Sequence, residues 1–443
     1  MTTREKILDL VSQYYQENFS GSSAFVPGES RVNYGGRVFD EKEMLNLVDS
    51  ALDFWLTAGP WAERLEKDLA AYLGVKFASL CNSGSSANLL AFMALTAPEL
   101  GDRRIRRGDE VITVAAGFPT TVFPIIQYGA VPVFVDVALE DCNIDPELLE
   151  GALSDRTKAV MAAHTLGNPF DLARVQAFCR KHNLWLIEDN CDALGSTFTI
   201  DGVTRQTGSW GDLGTSSFYP PHHMTTGEGG AVYTSDPLLH KLVNSFRDWG
   251  RDCWCPSGRD DTCRCRFTRQ YGTLPPGYDH KYVYSHLGYN LKLTDPQAAI
   301  GVAQLEKMPS FVEARRKNWQ YLYDKLHDLP GLMTVKEHPD ARASWFGFVL
   351  SVAPDAGFTR NDLTSYLESR NIQTRNLFAG NLLRHPVFLN DPESIRYRVA
   401  GSLENTDFIM NNTFWIGVYP GMTPEKLDFM AAEIANFAAE RSK

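Results

Sequence analysis

Leu184-Trp185-Leu186-Ile187-Glu188-Asp189-Asn190-Cys191-Asp192 is the stretch that decides the fold class. Four apolar residues run straight into acids, as a buried strand does where it leaves a sheet at its carboxyl end, the edge at which α/β folds place ligands. Short apolar runs recur on either side of it, at 111–114, 131–135, 159–163 and 231–233. Helix-like segments separate most of them, and that alternation predicts a largely parallel sheet covered on both faces. Upstream, 61–73 reads as an amphipathic helix with Leu65, Leu69 and Leu73 at i, i+4 and i+8. Beyond about residue 305 the texture changes to a charged helix (312–329), strand-like runs at 345–352 and 414–418, and a closing helix from 424 to about 439. The expected organisation is a polar, mostly helical extension over 1–48 with a turn at Gly35-Gly36, a large α/β domain over 49–304, and a smaller C-terminal α+β domain over 305–443.

Composition narrows the function. The chain has 443 residues, 44% hydrophobic and 22% charged, which suits a soluble protein with a large core and excludes disorder over most of the length. With 43 Lys+Arg against 54 Asp+Glu the net charge is −11. Such a chain lacks the basic footprint that nucleic acid or an anionic membrane requires. No run approaches the ~18 apolar residues of a membrane span. The start, Met1-Thr2-Thr3-Arg4-Glu5-Lys6, has no apolar signal core, so a cytoplasmic protein is expected.

Residues 251–284 stand out as irregular, rich in Gly, Pro, Asp, Arg and Cys and without a period. A long insert of this kind inside a compact domain is usually functional. Of the eight cysteines, Cys81, Cys142, Cys179 and Cys191 are dispersed, whereas Cys253, Cys255, Cys263 and Cys265 fall within thirteen residues. In an intracellular chain this reads as a metal or cluster site rather than a disulfide frame. Zinc and a 2Fe–2S cluster both accept four thiolates, and spacing alone does not separate them.

Three strings carry candidate chemistry. Asn82-Ser83-Gly84-Ser85-Ser86-Ala87-Asn88 opens an apolar helix. The amides and hydroxyls of such a turn cradle a phosphate, although an ordinary helix cap has the same composition. At the end of the 184–187 run, Asp189 is placed to pair with a protonated pyridine nitrogen; a solvated strand end is the commoner fate of any single acid. The third string, Ser216-Ser217-Phe218-Tyr219-Pro220-Pro221-His222-His223-Met224-Thr225-Thr226-Gly227-Glu228-Gly229-Gly230, sets two adjacent histidines before a Gly-rich turn.

Together these strings resemble the fold-type I pyridoxal-phosphate enzymes, and within them the DegT/DnrJ/EryC/StrS group of nucleotide-sugar aminotransferases and dehydratases, from about Gly59 to the C-terminus. Members of that group carry Ser-Phe-x-Pro-x-Lys-x-x-Thr-x-Gly-Glu-Gly-Gly, in which the lysine forms the Schiff base with the cofactor. Here His222 stands at that position, and no lysine occurs between Lys181 and Lys241. A Schiff base needs a primary amine. The cofactor is therefore expected as free pyridoxamine 5′-phosphate (PMP), with His222 as a base suited to neutral pH.

The Lys-to-His exchange is similar to that of a small subgroup, the 3-dehydrases of 4-keto-6-deoxy sugars. One line of it carries a 2Fe–2S cluster and acts on a CDP-linked sugar. Its ligand pattern is a Cys just after the Glu-Asp-Asn strand end, then Cys-x-Cys, then a Cys after seven intervening residues; Cys191, Cys253, Cys255 and Cys263 match. Cys265 is a spare thiol that replaces Cys263 if the spacing slips. The flanking strings Phe246-Arg247-Asp248-Trp249-Gly250-Arg251-Asp252-Cys253-Trp254-Cys255 and Gly277-Tyr278-Asp279-His280-Lys281-Tyr282 match as well, and Asp201-Gly202-Val203-Thr204 reads as a lengthened hairpin in the first gap.

The resemblance implies further roles. Gly84, Ser85 and Ser217 hold the phosphate, Phe118 stacks on the pyridine ring, and Asp189 meets its nitrogen, with Asp192 as the alternative or a supporting group. Tyr219 orients the base or the sugar. Asn290 reaches the phosphate of a neighbouring subunit, which implies a homodimer. The implied reaction is loss of the C3 oxygen from a nucleotide-linked 4-keto-6-deoxyhexose, in 3,6-dideoxysugar and O-antigen lipopolysaccharide synthesis. A separate NADH-dependent flavin/iron–sulfur reductase would supply electrons, because this chain shows no strand followed by G-x-G-x-x-G. The residues leave CDP and dTDP open, and they leave Arg375, Arg384 and Arg398 unranked as contacts for the pyrophosphate. The rival readings are a cluster-free dehydratase or aminotransferase-like enzyme with structural zinc, and a non-catalytic scaffold that binds nucleotide sugars.

Overall fold

The strands lie in three sheets in the computed structural model, which describes residues 1–21, 24–390 and 392–441. In chain order they are β1 (Phe77–Cys81), β2 (Glu110–Val114), β3 (Val131–Val135), β4 (Thr157–Ala163), β5 (Trp185–Asp189), β6 (Thr197–Ile200), β7 (Val203–Gln206), β8 (Leu213–Ser217), β9 (Gly230–Thr234), β10 (Leu332–Thr334), β11 (Ala341–Arg342), β12 (Gly347–Val352), β13 (Arg375–Asn376), β14 (Arg398–Val399) and β15 (Thr413–Gly417).

The largest sheet has the order β1-β9-β8-β5-β4-β2-β3-β14. The pairings from β8 through β14 are all parallel, and β9 runs against both of its neighbours. Its central strands are apolar because both faces are covered. Ile112, Val160 and Leu186 enter one core, while Val111, Ala159, Met161, Trp185 and Ile187 enter the other. The period of two is present, but both faces select apolar residues, so the run reads as continuous.

The four-stranded sheet β10-β12-β15-β13 is antiparallel throughout and belongs to the C-terminal part. The third sheet joins β11 to the β6–β7 hairpin. Asp201 and Gly202 turn that hairpin with φ of 51° and 77°, the left-handed pair that a two-residue turn between twisted strands requires.

Two of the expected boundaries fall inside helices. The one at 48/49 cuts Glu41–Asp53, a helix capped by Asp40 through a reciprocal box with Glu43. The one at 304/305 cuts Asp295–Leu326, of which only the charged second half is evident in the sequence. Its first half is small and buried (Ala298, Ala299, Gly301, Val302, Ala303), so it shows no polar face to mark it as a helix. Asp295 Oδ1 also accepts the amides of Gly59 (2.9 Å) and Ala62 (2.8 Å), tying the start of this helix to the start of helix Pro60–Leu73. In addition, β14 comes from the C-terminal part yet completes the large sheet, where Arg398 reaches buried Glu110 at 2.7 Å.

The 251–284 insert hangs from the end of helix Pro237–Arg247 and contains one regular turn, the 3₁₀ segment His280–Tyr282. Its two ends are pinched together: a Cβ at Gly250 (φ 80°) would lie 1.9 Å from the His286 carbonyl oxygen, and one at Gly288 would lie 2.0 Å from the Gly250 amide. Among the described residues, no helix is long and apolar enough to cross a membrane.

Candidate active site

The carboxyl ends of β1, β2, β4, β5 and β8 open onto one cavity of about 750 Å³, lined by Gly84, Ser85, Phe118, Asp189, Ser217 and His222 among others. Helix Gly84–Ala94 begins directly after β1, with the Ser83 hydroxyl accepting the Ser86 amide at 3.1 Å. That leaves the first-turn amides of Gly84 and Ser85 without intrahelical acceptors, as at any helix start. The turn rests on the β8–β9 pair Ser217–Gly230. A Cβ on Gly84 would lie 2.4 Å from Ser217 Cβ, and one on Gly230 would lie 2.4 Å from the Ser83 carbonyl oxygen. Amides, hydroxyls and helix end thus converge on one concave spot, the arrangement that suits a phosphate group.

Asp189 closes β5 at 5% exposure. Its Oδ2 accepts from Asn88 Nδ2 (2.8 Å) and Thr121 Oγ1 (2.7 Å), and its Oδ1 accepts from the Cys191 amide (3.2 Å). The Thr215 hydroxyl donates to Asn88 Oδ1 at 2.7 Å, which fixes that amide with its NH₂ toward the carboxylate. The neighbouring Glu188 points the opposite way, accepting from the Gly208 and Trp210 amides and lying 3.0 Å from His164. Of the two acids that end the strand, Asp189 is the one presented to the cavity.

His222 also lines the cavity, with its ring 5.1 Å from that of Phe346 and 6.4 Å from that of half-exposed Tyr219. Its Nδ1 lies 3.3 Å from Asp192 Oδ1, an ion-pair separation without hydrogen-bond alignment. Burial pushes the Asp192 carboxyl above its ordinary range, and His222 opposes the shift. Asp192, which also lines the cavity, thus sits beside the imidazole. His223 is different in kind. It is buried, lies 2.7 Å from the Ser344 carbonyl oxygen, and is held far below the usual histidine range by burial.

Phe118 is 52% exposed at the cavity mouth, edge-on to Phe378. Asn290 lies outside the cavity of its own chain, where its Oδ1 accepts from Lys292 Nζ at 3.0 Å. Of the three arginines considered for the pyrophosphate, Arg384 is paired with Asp407 (2.8 Å) and Arg398 with Glu110 (2.7 Å). Arg375 alone lines the cavity, its guanidinium 4.2 Å over the ring of Tyr34. Tyr34, Phe346 and Trp415 also line it, and sequence reasoning missed all three. They come from distant segments with no local motif, and only the packing of Tyr34 on Trp415 (5.3 Å) and of Phe346 on Trp415 (5.4 Å) draws them together.

The expected cysteine set divides. Cys191 follows β5 and lines the cavity, where burial and then Asp189 push its thiol well above the ordinary value. Cys253 and Cys263 lie in the insert with His280, their ligand atoms within 4.8 Å of one another. The Cys255 thiol joins them. Burial works against its ionisation, but hydrogen bonds from Thr262, the Cys263 backbone and the neighbouring thiols bring it down to about 7. Cys265 Sγ is 3.4 Å from His280 Nδ1, and Asp252 holds the other ring nitrogen at 2.6 Å. One chain therefore brings together Cys253, Cys255, Cys263, Cys265 and His280, and among the described residues the group of close-set ligand atoms does not include Cys191. Cys191 is carried by a central strand of the large sheet, while the insert is carried by the helix beside the edge strand β1. A thiol-rich donor set of this kind fits an iron–sulfur centre, and equally zinc.

The sequence pattern of the DegT/DnrJ/EryC1/StrS aminotransferase family spans residues 38–435, beginning upstream of the Gly59 expected from the motifs. The chain is 50% identical over 439 residues to a dTDP-4-dehydro-2,6-dideoxy-D-glucose 3-dehydratase of Saccharopolyspora spinosa, covering 99% of this chain and 93% of that protein. It is 52% identical over 435 residues to the lipopolysaccharide biosynthesis protein RfbH of Salmonella typhimurium, covering 98% of each. Among solved structures, E. coli GDP-4-keto-6-deoxy-D-mannose-3-dehydratase with bound hydrated PLP superposes with a TM-score of 0.80 at 28% identity, covering 91% of this chain and 99% of that one. The architecture is that of the fold-type I PLP-dependent transferases. The concave anion cradle, the fixed carboxylate of Asp189 and the open floor between them fit a pyridine 5′-phosphate cofactor.

Proposed function

The chain belongs to the DegT/DnrJ/EryC1/StrS aminotransferase family, and on that premise we propose that it removes the 3-hydroxyl of a nucleotide-linked 4-keto-6-deoxyhexose, using PMP and a 2Fe–2S cluster, in deoxysugar and lipopolysaccharide biosynthesis. The observation that carries the reading is His222: an imidazole, on the cavity wall beside Asp192, stands where the family forms its Schiff base. Gly84, Ser85 and Ser217 bind the phosphate. Asp189, locked by three donors, faces the ring nitrogen and holds a proton on it. Phe118 covers one ring face at the mouth. When bound, the cofactor supplies an amine for the sugar's keto group and an electron sink for departure of the neighbouring hydroxyl. His222 moves the proton at C4′, and Tyr219 and Phe346 flank it and limit access of water.

Arg375 meets the substrate's pyrophosphate, being the one of the three candidate arginines that lines the cavity and, among the described residues, the one without a carboxylate partner. For the nucleotide we retain CDP, from the match of the cysteine-bearing strings. The dTDP reading is favoured by a specific observation, the 50% identity to a dTDP-linked 3-dehydratase.

Cys253, Cys255 and Cys263 supply three thiolates to the cluster, which would pass single electrons from a separate NADH-dependent flavin/iron–sulfur reductase. Cys191 is the fourth, with Cys265, which lies beside His280 in the insert, as the alternative. Phosphate contact from Asn290 likewise belongs to a second copy in a homodimer.

The test is a paired assay with CDP- and dTDP-linked 4-keto-6-deoxyglucose, added PMP and a competent reductase. Formation of a 3-deoxy product with one of them is expected, together with exchange of the C4′ proton of PMP that His222→Asn abolishes while PMP still binds. Full retention of exchange in that variant rejects His222 as the base. A protein that binds the sugars and never releases the 3-hydroxyl is a scaffold, not this enzyme.

A further inference from the structure

Behind the cavity wall the long helix Asp295–Leu326 buries a guanidinium that no catalytic motif announces. Arg315 is 2% exposed. Its Nη2 donates to the carbonyl oxygens of His222 (3.2 Å) and Pro221 (3.5 Å), and its Nη1 donates to those of Trp345 (3.2 Å) and Phe346 (3.4 Å). Its Nε has no hydrogen-bond partner among the described residues, and no carboxylate lies within ion-pair distance of it. Burial lowers its pKa to about 9, so the guanidinium remains a cation at neutral pH. A buried cation is expensive unless its charge is used. Four carbonyl oxygens from two segments accept from its two Nη groups, and Asp192 is the acid whose field reaches it.

These contacts do two things. They staple the turn that carries His222 to the segment that carries Phe346, whose ring is 5.1 Å from the imidazole. They also set a positive charge on the His222 backbone carbonyl, within the field of the Asp192 carboxyl that lies 3.3 Å from Nδ1. The other titratable groups near the imidazole are Tyr219 and His223 on its own segment, and Asp189 and Cys191 on the strand end that carries Asp192. An acid beside an imidazole favours the charged ring, and a cation behind it favours the neutral one. A group that must take a proton and return it needs both forms within reach.

We propose that Arg315 is the positioning residue of the base: it fixes the His222 and Phe346 segments in register and balances the charge of Asp192, so that the imidazole both accepts and returns the C4′ proton. This rests on the reading of His222 given above.

The test compares Arg315→Met, Arg315→Lys, Asp192→Asn and the Arg315→Met/Asp192→Asn pair with wild type and His222→Asn. The first readout is the imidazole resonance of His222 in the cofactor-free protein, assigned by its loss in His222→Asn and titrated by NMR. Its midpoint moves up by about one pH unit in Arg315→Met and down in Asp192→Asn, the usual scale for one neighbouring charge, and the pair returns toward wild type. The second readout is C4′ proton exchange of PMP in D₂O against pH. Arg315→Met slows it about tenfold or more, with the base-dependent limb moved upward. Arg315→Lys restores the limb and not the full rate, because an ammonium keeps the charge and loses the fork.

A uniform loss of rate with unmoved midpoints makes Arg315 structural and overturns the proposal. If Arg315→Met fails to fold, Arg315→Lys and Asp192→Asn still decide it: unmoved midpoints in both reject it. Absence of C4′ exchange in wild type sinks the functional reading instead, leaving the NMR titration to judge Arg315 alone.

Discussion

Replacing Gly84 by alanine tests the anion cradle most directly, because the size of the effect follows from distances. The new Cβ would lie 2.4 Å from Ser217 Cβ, 2.8 Å from its Oγ and 3.0 Å from its Cα. Ordinary carbon contacts are ~3.5–4.0 Å, so the turn must lift by more than an ångström. Ser217 cannot rotate away, since two of the three clashes involve Cα and Cβ of a buried strand residue. The lift separates the Gly84 and Ser85 amides from the Ser217 hydroxyl, so at most part of the cradle can grip a phosphate at once. Overpacking at such a site costs about 1–3 kcal/mol, and each hydrogen bond lost to a charged group costs about 1.5–3 kcal/mol. Sharing the strain between fold and site, PMP affinity falls by roughly 1.5–3 kcal/mol, about 10- to 150-fold. The assay is titration with PMP followed by quenching of tryptophan fluorescence, repeated in the presence of inorganic phosphate. Gly151→Ala is the control: nothing lies within 4 Å of its Cβ, so affinity does not move, and the melting temperature holds or rises because alanine is the better helix former. PMP binding by Gly84→Ala within twofold of wild type, with an unchanged melting temperature, would refute the cradle.

Two further outcomes are expected. Serine at Cys253, Cys255 or Cys263 removes the visible iron absorption of anaerobically purified protein and leaves PMP binding intact; the same measurement on Cys265→Ser and Cys191→Ser identifies the fourth ligand, and iron retained in all three insert variants overturns the site. His240 stacks on Phe77 (4.5 Å) between Ser79 Oγ and Asn244 Nδ2, and burial pulls it down to about 4. The unfolded chain therefore takes up this proton at higher pH than the folded one, and the contribution of His240 to stability is present above about pH 6.5 and lost as pH falls toward 4. By pH 5 that loss is about 2 kcal/mol. Urea midpoints measured at pH 7.5 and pH 5 should diverge less in His240→Gln than in wild type, and equal pH slopes contradict the assignment.

What the sequence disclosed and what it hid divide along a physical line. The groups proposed to hold an anion and face a ring nitrogen sit where short strands end, and strand ends are local: four apolar residues then Glu188-Asp189, a small-residue turn before an apolar helix, Ser217 ahead of the histidine pair. Each is legible within ten residues because burial on both faces of a parallel sheet forces the apolar run and the ligand site follows its end. The groups that surround the proton are not local. Arg315 approaches His222 across 93 positions, from the charged half of a helix where an arginine looks like surface. Phe346, Trp415 and Tyr34 look like core. Cysteine spacing gives a donor count but not which element carries each donor: Cys191 follows β5, whereas Cys253, Cys255 and Cys263 lie in the insert.

The same division bears on how the chemistry differs from that of an amine-tethered relative. The cradle at Gly84 and Ser217 and the anchor at Asp189 make their contacts through β1, β5 and β8, and no hydrogen bond among them passes through position 222. An exchange of lysine for histidine there leaves the anion and ring contacts standing. On the proposed reading, the surroundings of His222, an acid 3.3 Å from its Nδ1 and a guanidinium on its backbone carbonyl, then govern its proton traffic.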